Sequence, residues 1–176
     1  MDVLIEQFTR EAERTDARVR TLAGWSEVAG FVLDLSAGGG IAVAPSVLTA
    51  ASAFVGMLGE GGFVPNDGDA VERVADLPVG VVRAVAAVAE TGSVLIFEET
   101  MADRAVSMLT RTLVAVVERK DLVEDLFALR PFIVPRSAPA PRYAALVTGP
   151  SRTADIERSL TIGVQGPGEV YVVILP

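Results

Sequence analysis

Residues 79–89 read Val79-Gly80-Val81-Val82-Arg83-Ala84-Val85-Ala86-Ala87-Val88-Ala89, with Glu90 following. No other stretch of the chain is as rich in apolar residues, and its reading decides the fold. A membrane-crossing helix needs about 20 consecutive apolar residues, whereas this run is interrupted by Arg83 and closed by Glu90. Short Val- and Ala-rich runs bounded by polar turns are what a parallel strand covered on both faces looks like. Val79 to Val82 is therefore expected to be a strand inside a buried α/β core.

Outward from that strand, the second half of the chain alternates. Val94 to Phe97 and Leu113 to Val117 read as strands, and Asp121 to Leu129 as a helix. Pro135 to Pro141 reads as an irregular crossover, and Tyr143 to Val147 as a strand running into Thr148-Gly149-Pro150. A helix is expected from Ser151 to Leu160, and the β-branched run Val170 to Leu175 closes the chain as a strand. In the first half, Gly38-Gly39-Gly40 precedes a short strand at Ile41 to Ala44, and Pro45-Ser46 opens a helical segment from Val47 to Leu58. Gly59 to Asp69 has loop composition. Leu4, Phe8, Ala12, Val19 and Leu22 fall near one helical face, so residues 1–22 are expected to form an amphipathic helix. Strands separated by helices imply an α/β fold with a mainly parallel sheet flanked by helices. A chain of 176 residues suits one domain, 1–176.

Composition narrows the chemistry. The formal charge is −8 and the single lysine is Lys120, which argues against a nucleic-acid partner, because such binding needs clustered cations. There is no cysteine and no histidine. Thiol nucleophiles, cysteine-ligated zinc or iron–sulfur clusters, Ser-His-Asp triads and histidine metal sites cannot be built from this chain alone. No metal site and no cofactor are expected within it. The opening Met1-Asp2, soon followed by Glu6, Arg10 and Glu11, does not read as a signal peptide, and a cytoplasmic location is the expectation.

Three segments offer the remaining chemistry. At Thr148-Gly149-Pro150-Ser151-Arg152-Thr153 a strand meets a Gly-Pro turn and an expected helix start, whose free N–H groups can hold a small anion, with Arg152 as a clamp. The same residues also fit plain capping by Ser151. Glu90-Thr91-Gly92-Ser93 is a polar turn that can project a carboxylate and two hydroxyls into a crevice, with Glu90 as base or nucleophile; equally, it fits a turn that needs Gly92 and leaves Glu90 in solvent. Glu98, Glu99, Asp103 and Arg104 form a charged cluster that reads better as a solvated loop with an ion pair than as a magnesium site. The loop around Gly166 is a candidate to face the same crevice. If Glu90 and Ser151 are neighbours, the Glu90 turn, the Ser151 helix start and the Gly166 loop should line one crevice at the carboxyl ends of the strands.

Taken in order, Ala89-Glu90-Thr91-Gly92-Ser93, then Arg104 and Ser107, then Thr148 to Glu157, then Gly163-Val164-Gln165-Gly166-Pro167 resemble the signature of the lactate-utilisation C proteins of the LUD-domain family. The likeness spans Val79 to Pro176. It implies a fold like that of the phosphosugar isomerase and coenzyme A transferase superfamily. It also implies a role in oxidising L-lactate to pyruvate beside two iron–sulfur partner subunits, of A and B type, which would carry the clusters. Three functions follow for testing: an accessory or ligand-binding subunit of that system; an enzyme or binding module for a small carboxylate, phosphate or coenzyme A derivative using Glu90 and Arg152; and a purely structural module.

Overall fold

The computed structural model describes residues 3–134, 143–153, 161–162 and 166–176. In chain order the elements are α1 (Val3–Arg14), β1 (Arg18–Thr21), α2 (Trp25–Ser36), β2 (Ile41–Val43), α3 (Phe54–Met57), β3 (Gly62–Phe63), α4 (Ala70–Val74), β4 (Val79–Val88) and β5 (Ser93–Phe97). Then come α5 (Met101–Leu109), β6 (Thr112–Glu118), β7 (Leu122–Val123), α6 (Arg130–Ile133), β8 (Ala144–Val147), β9 (Arg152–Thr153), β10 (Thr161–Ile162) and β11 (Glu169–Leu175). Short 3₁₀ helices lie at Pro45–Thr49, Gly59–Gly61, Arg119–Asp121 and Leu126–Leu129.

Strand β4, the apolar run from Val79 to Val88, is the shared strand of a mixed, mostly parallel sheet. Six strands run parallel in the order β1-β11-β6-β4-β2-β3. Only the first half of β4 belongs to that array, where Val79 to Arg83 pair with Thr112 to Val116. A register shift between Ala84 and Ala86 then lets the second half pair antiparallel with β5, while β7 joins it in parallel and β8 extends β5 antiparallel. The strand expected over Val79 to Val82 is therefore longer, because a second set of partners satisfies its backbone beyond Arg83.

Register shows which helix covers which face. Gly80, Leu113 and Val170 lie side by side, as do Val81, Val114 and Tyr171 one residue later, so the two rows point to opposite faces. Helix α5 sits on the first face: a Cβ at Gly80 would lie 2.7 Å from Val106 O and 2.5 Å from Thr110 Oγ1. Helix α2 sits on the second, its Phe31 ring edge-on to Tyr171 at 5.3 Å between centroids. A sheet flanked by helices therefore buries one large core, anchored by Phe8, Ile41, Phe54, Leu113 and Ile174.

Several local expectations are corrected. The helix expected over residues 1–22 stops at Arg14, where the chain turns through Asp16 at φ 63°. Val19 instead belongs to β1, whose pairing with Tyr171–Ile174 gives β11 its second neighbour. Asp121 to Leu129 is not one helix: Leu122 and Val123 pair with Ala87 and Val88, and Asp125 caps a 3₁₀ turn through Ala128 N. Val47 to Leu58 divides between a 3₁₀ turn and α3. The charged segment at Asp103 and Arg104 is not a loop; it lies in α5. Ser151 does not start a helix, because Arg152 and Thr153 are strand, paired antiparallel with Ile162 and Thr161. Residues 154–160, and the crossover expected at 135–141, lie outside the described residues.

Candidate functional site

Glu98 follows β5 directly. Its N–H donates to Tyr143 O at 3.0 Å, which continues the ladder with the chain entering β8, and its side chain turns inward until the residue is 6% exposed. Two residues on, Thr100 caps α5: its hydroxyl accepts from Asp103 N, and the Asp103 carboxylate accepts from Thr100 N. Asp103 Oδ1 also accepts from Ser46 N at 3.0 Å, tying α5 to the 3₁₀ turn after β2. Those bonds fix α5 so that Ser107, 5% exposed, meets Glu98. Ser107 Oγ lies 2.5 Å from Glu98 Oε1 and 3.0 Å from Arg104 O. Arg104 Nε stands 3.9 Å from Glu98 Oε2, and its guanidinium lies over the Tyr143 ring at 4.3 Å. Removing a carboxylate from water is tolerated only with partners of this kind.

Glu98 and Ser107 line a crevice of about 420 Å³. Its other walls are Met108 of α5, Leu113 and Val170 of the sheet, strand β8, and the segments Thr148–Arg152 and Gly166–Pro167. Leu113 and Val170 are each the second residue of their strands, so the crevice opens at the amino ends of β6 and β11. The expected position at the carboxyl ends is thereby corrected.

The candidate residues divide. Gly149, Ser151, Arg152 and Gly166 line the crevice. Glu90 does not: it is exposed, and its carboxylate takes only a long 3.4 Å bond from Leu126 N. Thr91 and Ser93 form a hydroxyl chain, Thr91 Oγ1 to Ser93 Oγ at 2.8 Å and Ser93 Oγ to Thr148 Oγ1 at 2.7 Å, which reaches the crevice wall without lining it. Gly92, at φ 66°, would place a Cβ 2.1 Å from Ala12 N; Gly149, at φ 76°, would place one 2.1 Å from Thr15 O. Both glycines therefore let the chain close against the end of α1. Arg152 is engaged there too, its Nη2 donating to Thr15 O at 3.0 Å and to the Asp16 carboxylate. Arg104 stands behind Glu98, and the Thr153 side chain lies outside the described residues. With Ser151 N donating to Pro167 O and no helix beginning there, the helix-start anion site loses its physical basis.

The sequence suggests a solvated, ion-paired Glu98 or a magnesium ligand; the residue is ion-paired with Arg104 but buried. Its inward turn depends on the Tyr143 contact, forty-five residues away in the chain. Ser107 was legible within the ordered motif, but not as the partner of Glu98.

The LUD domain matches residues 5–175. The chain belongs to the LUD domain family. Similar proteins named lactate utilization protein C come from Geobacillus thermodenitrificans, 31% identical over 54% of this chain and 42% of that protein, and Bacillus licheniformis, 32% identical over 59% and 45%. The Bacillus subtilis protein of the same name is 28% identical over 60% of this chain and 45% of its own length. This LUD domain chain thus spans less than half the length of these relatives. A crystal structure of a DUF162-family protein from Deinococcus radiodurans matches 98% of this chain and 96% of its own, with a TM-score of 0.67 and 16% identity, which shows a shared fold.

Proposed function

We propose that this LUD domain serves lactate utilisation as an accessory or ligand-binding subunit, working beside iron–sulfur subunits of A and B type that oxidise L-lactate to pyruvate. The observation that carries this is the family match over residues 5–175 together with relatives named lactate utilization protein C. The sequence supports the division of labour, because a chain without cysteine or histidine has no side chains of the usual kind for ligating a cluster. The missing cysteines also suit a reducing cytoplasm. Among the described residues no helix is long and apolar enough to cross a membrane.

A mixed, mostly parallel sheet with helices on both faces supports kinship with the phosphosugar isomerase and coenzyme A transferase superfamily, and that likeness by itself assigns no reaction. An enzyme using Glu90 together with Arg152 finds no support in the geometry, since Glu90 lies outside the crevice that Arg152 lines.

Deletion of the gene tests the role. A strain keeping both iron–sulfur subunits but lacking this chain should lose growth on L-lactate and regain it when the chain is restored. Undiminished lactate consumption without it would remove the proposed role.

A further inference from the structure

We propose, independently of the lactate reading, that the crevice between β8 and α5 is a docking groove for an extended segment of a partner protein. The segment pairs with β8 as an added strand. It is apolar at alternate residues and basic at the end that passes Gly149.

Ala145, Leu146, Val147, Thr148 and Gly149 all line the crevice. Successive side chains of a strand point to opposite faces, so a hollow touching this unbroken run follows the strand's edge, over about 13 Å. Strand β5 lies along the other edge, and none of its residues lines the crevice. Glu98 N donates to Tyr143 O, and hydrogen-bonded pairs alternate along an antiparallel ladder. Ala145 and Val147 therefore bond to Ile96 and Val94, while Ala144 and Leu146 turn their N–H and C=O outward. Among the described residues β8 pairs with no strand but β5. The edge Ala144-Ala145-Leu146-Val147 carries no charge and no proline, the usual guards against strand addition.

The added strand bonds through its residue opposite Leu146, and that residue's two neighbours point to the same face as Ala145 and Val147. Val147 packs against the core that holds Leu113 and Val170, which wall the crevice with Met108, so those two neighbours are apolar. Past Gly149 the crevice adjoins a second hollow at Pro150 and Val170, lined by Glu13, Asp16, Arg18 and Glu169. Arg18 pairs with Glu169 and Arg152 with Asp16, which leaves Glu13 in excess beside the carbonyl end of α1. That end of the groove favours a cation. An antiparallel segment, the arrangement of β4 with β5 and of β5 with β8, enters with its basic residue first.

Fluorescence anisotropy of the labelled peptide acetyl-Lys-Thr-Val-Thr-Val-Thr, titrated with the whole chain, tests this. The peptide should bind saturably. N-methylation of the threonine between its two valines, the residue opposite Leu146, should weaken binding about tenfold, the loss of a backbone hydrogen bond. Exchanging its lysine for glutamate should weaken binding too, and Glu13→Lys should reverse that preference. Leu146→Pro removes an outward N–H and no ladder bond, so the chain should stay folded and lose the peptide. Because a proline can still loosen β8, Met108→Trp, at a half-exposed position on the opposite wall, serves as a second block. No anisotropy change, equal binding of the N-methylated peptide, or unchanged binding by Met108→Trp would each overturn the proposal. So would a chain that sediments as a dimer and becomes monomeric on Leu146→Pro, because a second copy then occupies the edge.

Discussion

Gly92 sits in the turn between β4 and β5 at φ 66°, with no room for a methyl group against Ala12. An alanine there incurs about 1–2 kcal/mol for the left-handed backbone and about 1–3 kcal/mol for overpacking. Gly92→Ala should therefore lower the urea midpoint by an amount matching about 2–5 kcal/mol, and a change under about 1 kcal/mol would show that α1 yields instead. The sequence made the need for glycine visible, since a Gly between polar residues and two apolar runs signals a special backbone angle. What it touches was not visible, because α1 lies eighty residues away. Thr100 and Asp103 teach the complementary lesson: their spacing is that of a capping box, which announces α5, yet the neighbouring Glu98 and Glu99 drew the reading toward a charged loop. Glu98 itself carries no local signal that it is buried.

Helix α1 is the element on which the recognisable motifs converge. Gly92 packs on Ala12, Gly149 on Thr15, and Arg152 bonds Thr15 and Asp16, so two segments, the Gly92 turn and the stretch from Gly149 to Arg152, grip one helix end. Fully buried Phe8 and Ala12 hold the middle of the helix to the core. Phe8→Ala should cost about 3–5 kcal/mol by denaturant unfolding, and hydrogen exchange should rise at Gly92 and Gly149 as well as along α1. Loss of stability with exchange raised in α1 alone would show that the grip is not cooperative. Of the sheet strands, β2, β5, β6, β8 and β11 were legible because each is a short apolar run between polar breaks. Strand β1 was not: only Val19 in Arg18–Thr21 is apolar, and it extends the helical pattern of α1 by chance of spacing. Pairing with β11, a contact across the whole chain, overrides that pattern.

At the scale of the molecule, the α/β class and the mostly parallel sheet follow from alternation of short runs, but strand order does not. The last strand, β11, inserts between the first, β1, and β6, an arrangement set by non-local pairing. The position of the crevice is a consequence. It opens at the amino ends of β6 and β11 because β8, α5 and the Gly149 and Gly166 segments close around that end of the sheet, and no residue spacing encodes such a meeting. The same arrangement separates Glu90 from Arg152 and brings Glu98 into the crevice in its place.

The most direct test of that exchange of carboxylates is an amide NMR titration of the whole chain with L-lactate. Saturable shifts at Ser107, Gly149, Ser151 and Gly166, with Glu90 and Leu126 unmoved, are the expected result. Shifts centred on Glu90 to Ser93 and Leu126, with the Glu98 crevice silent, would contradict it.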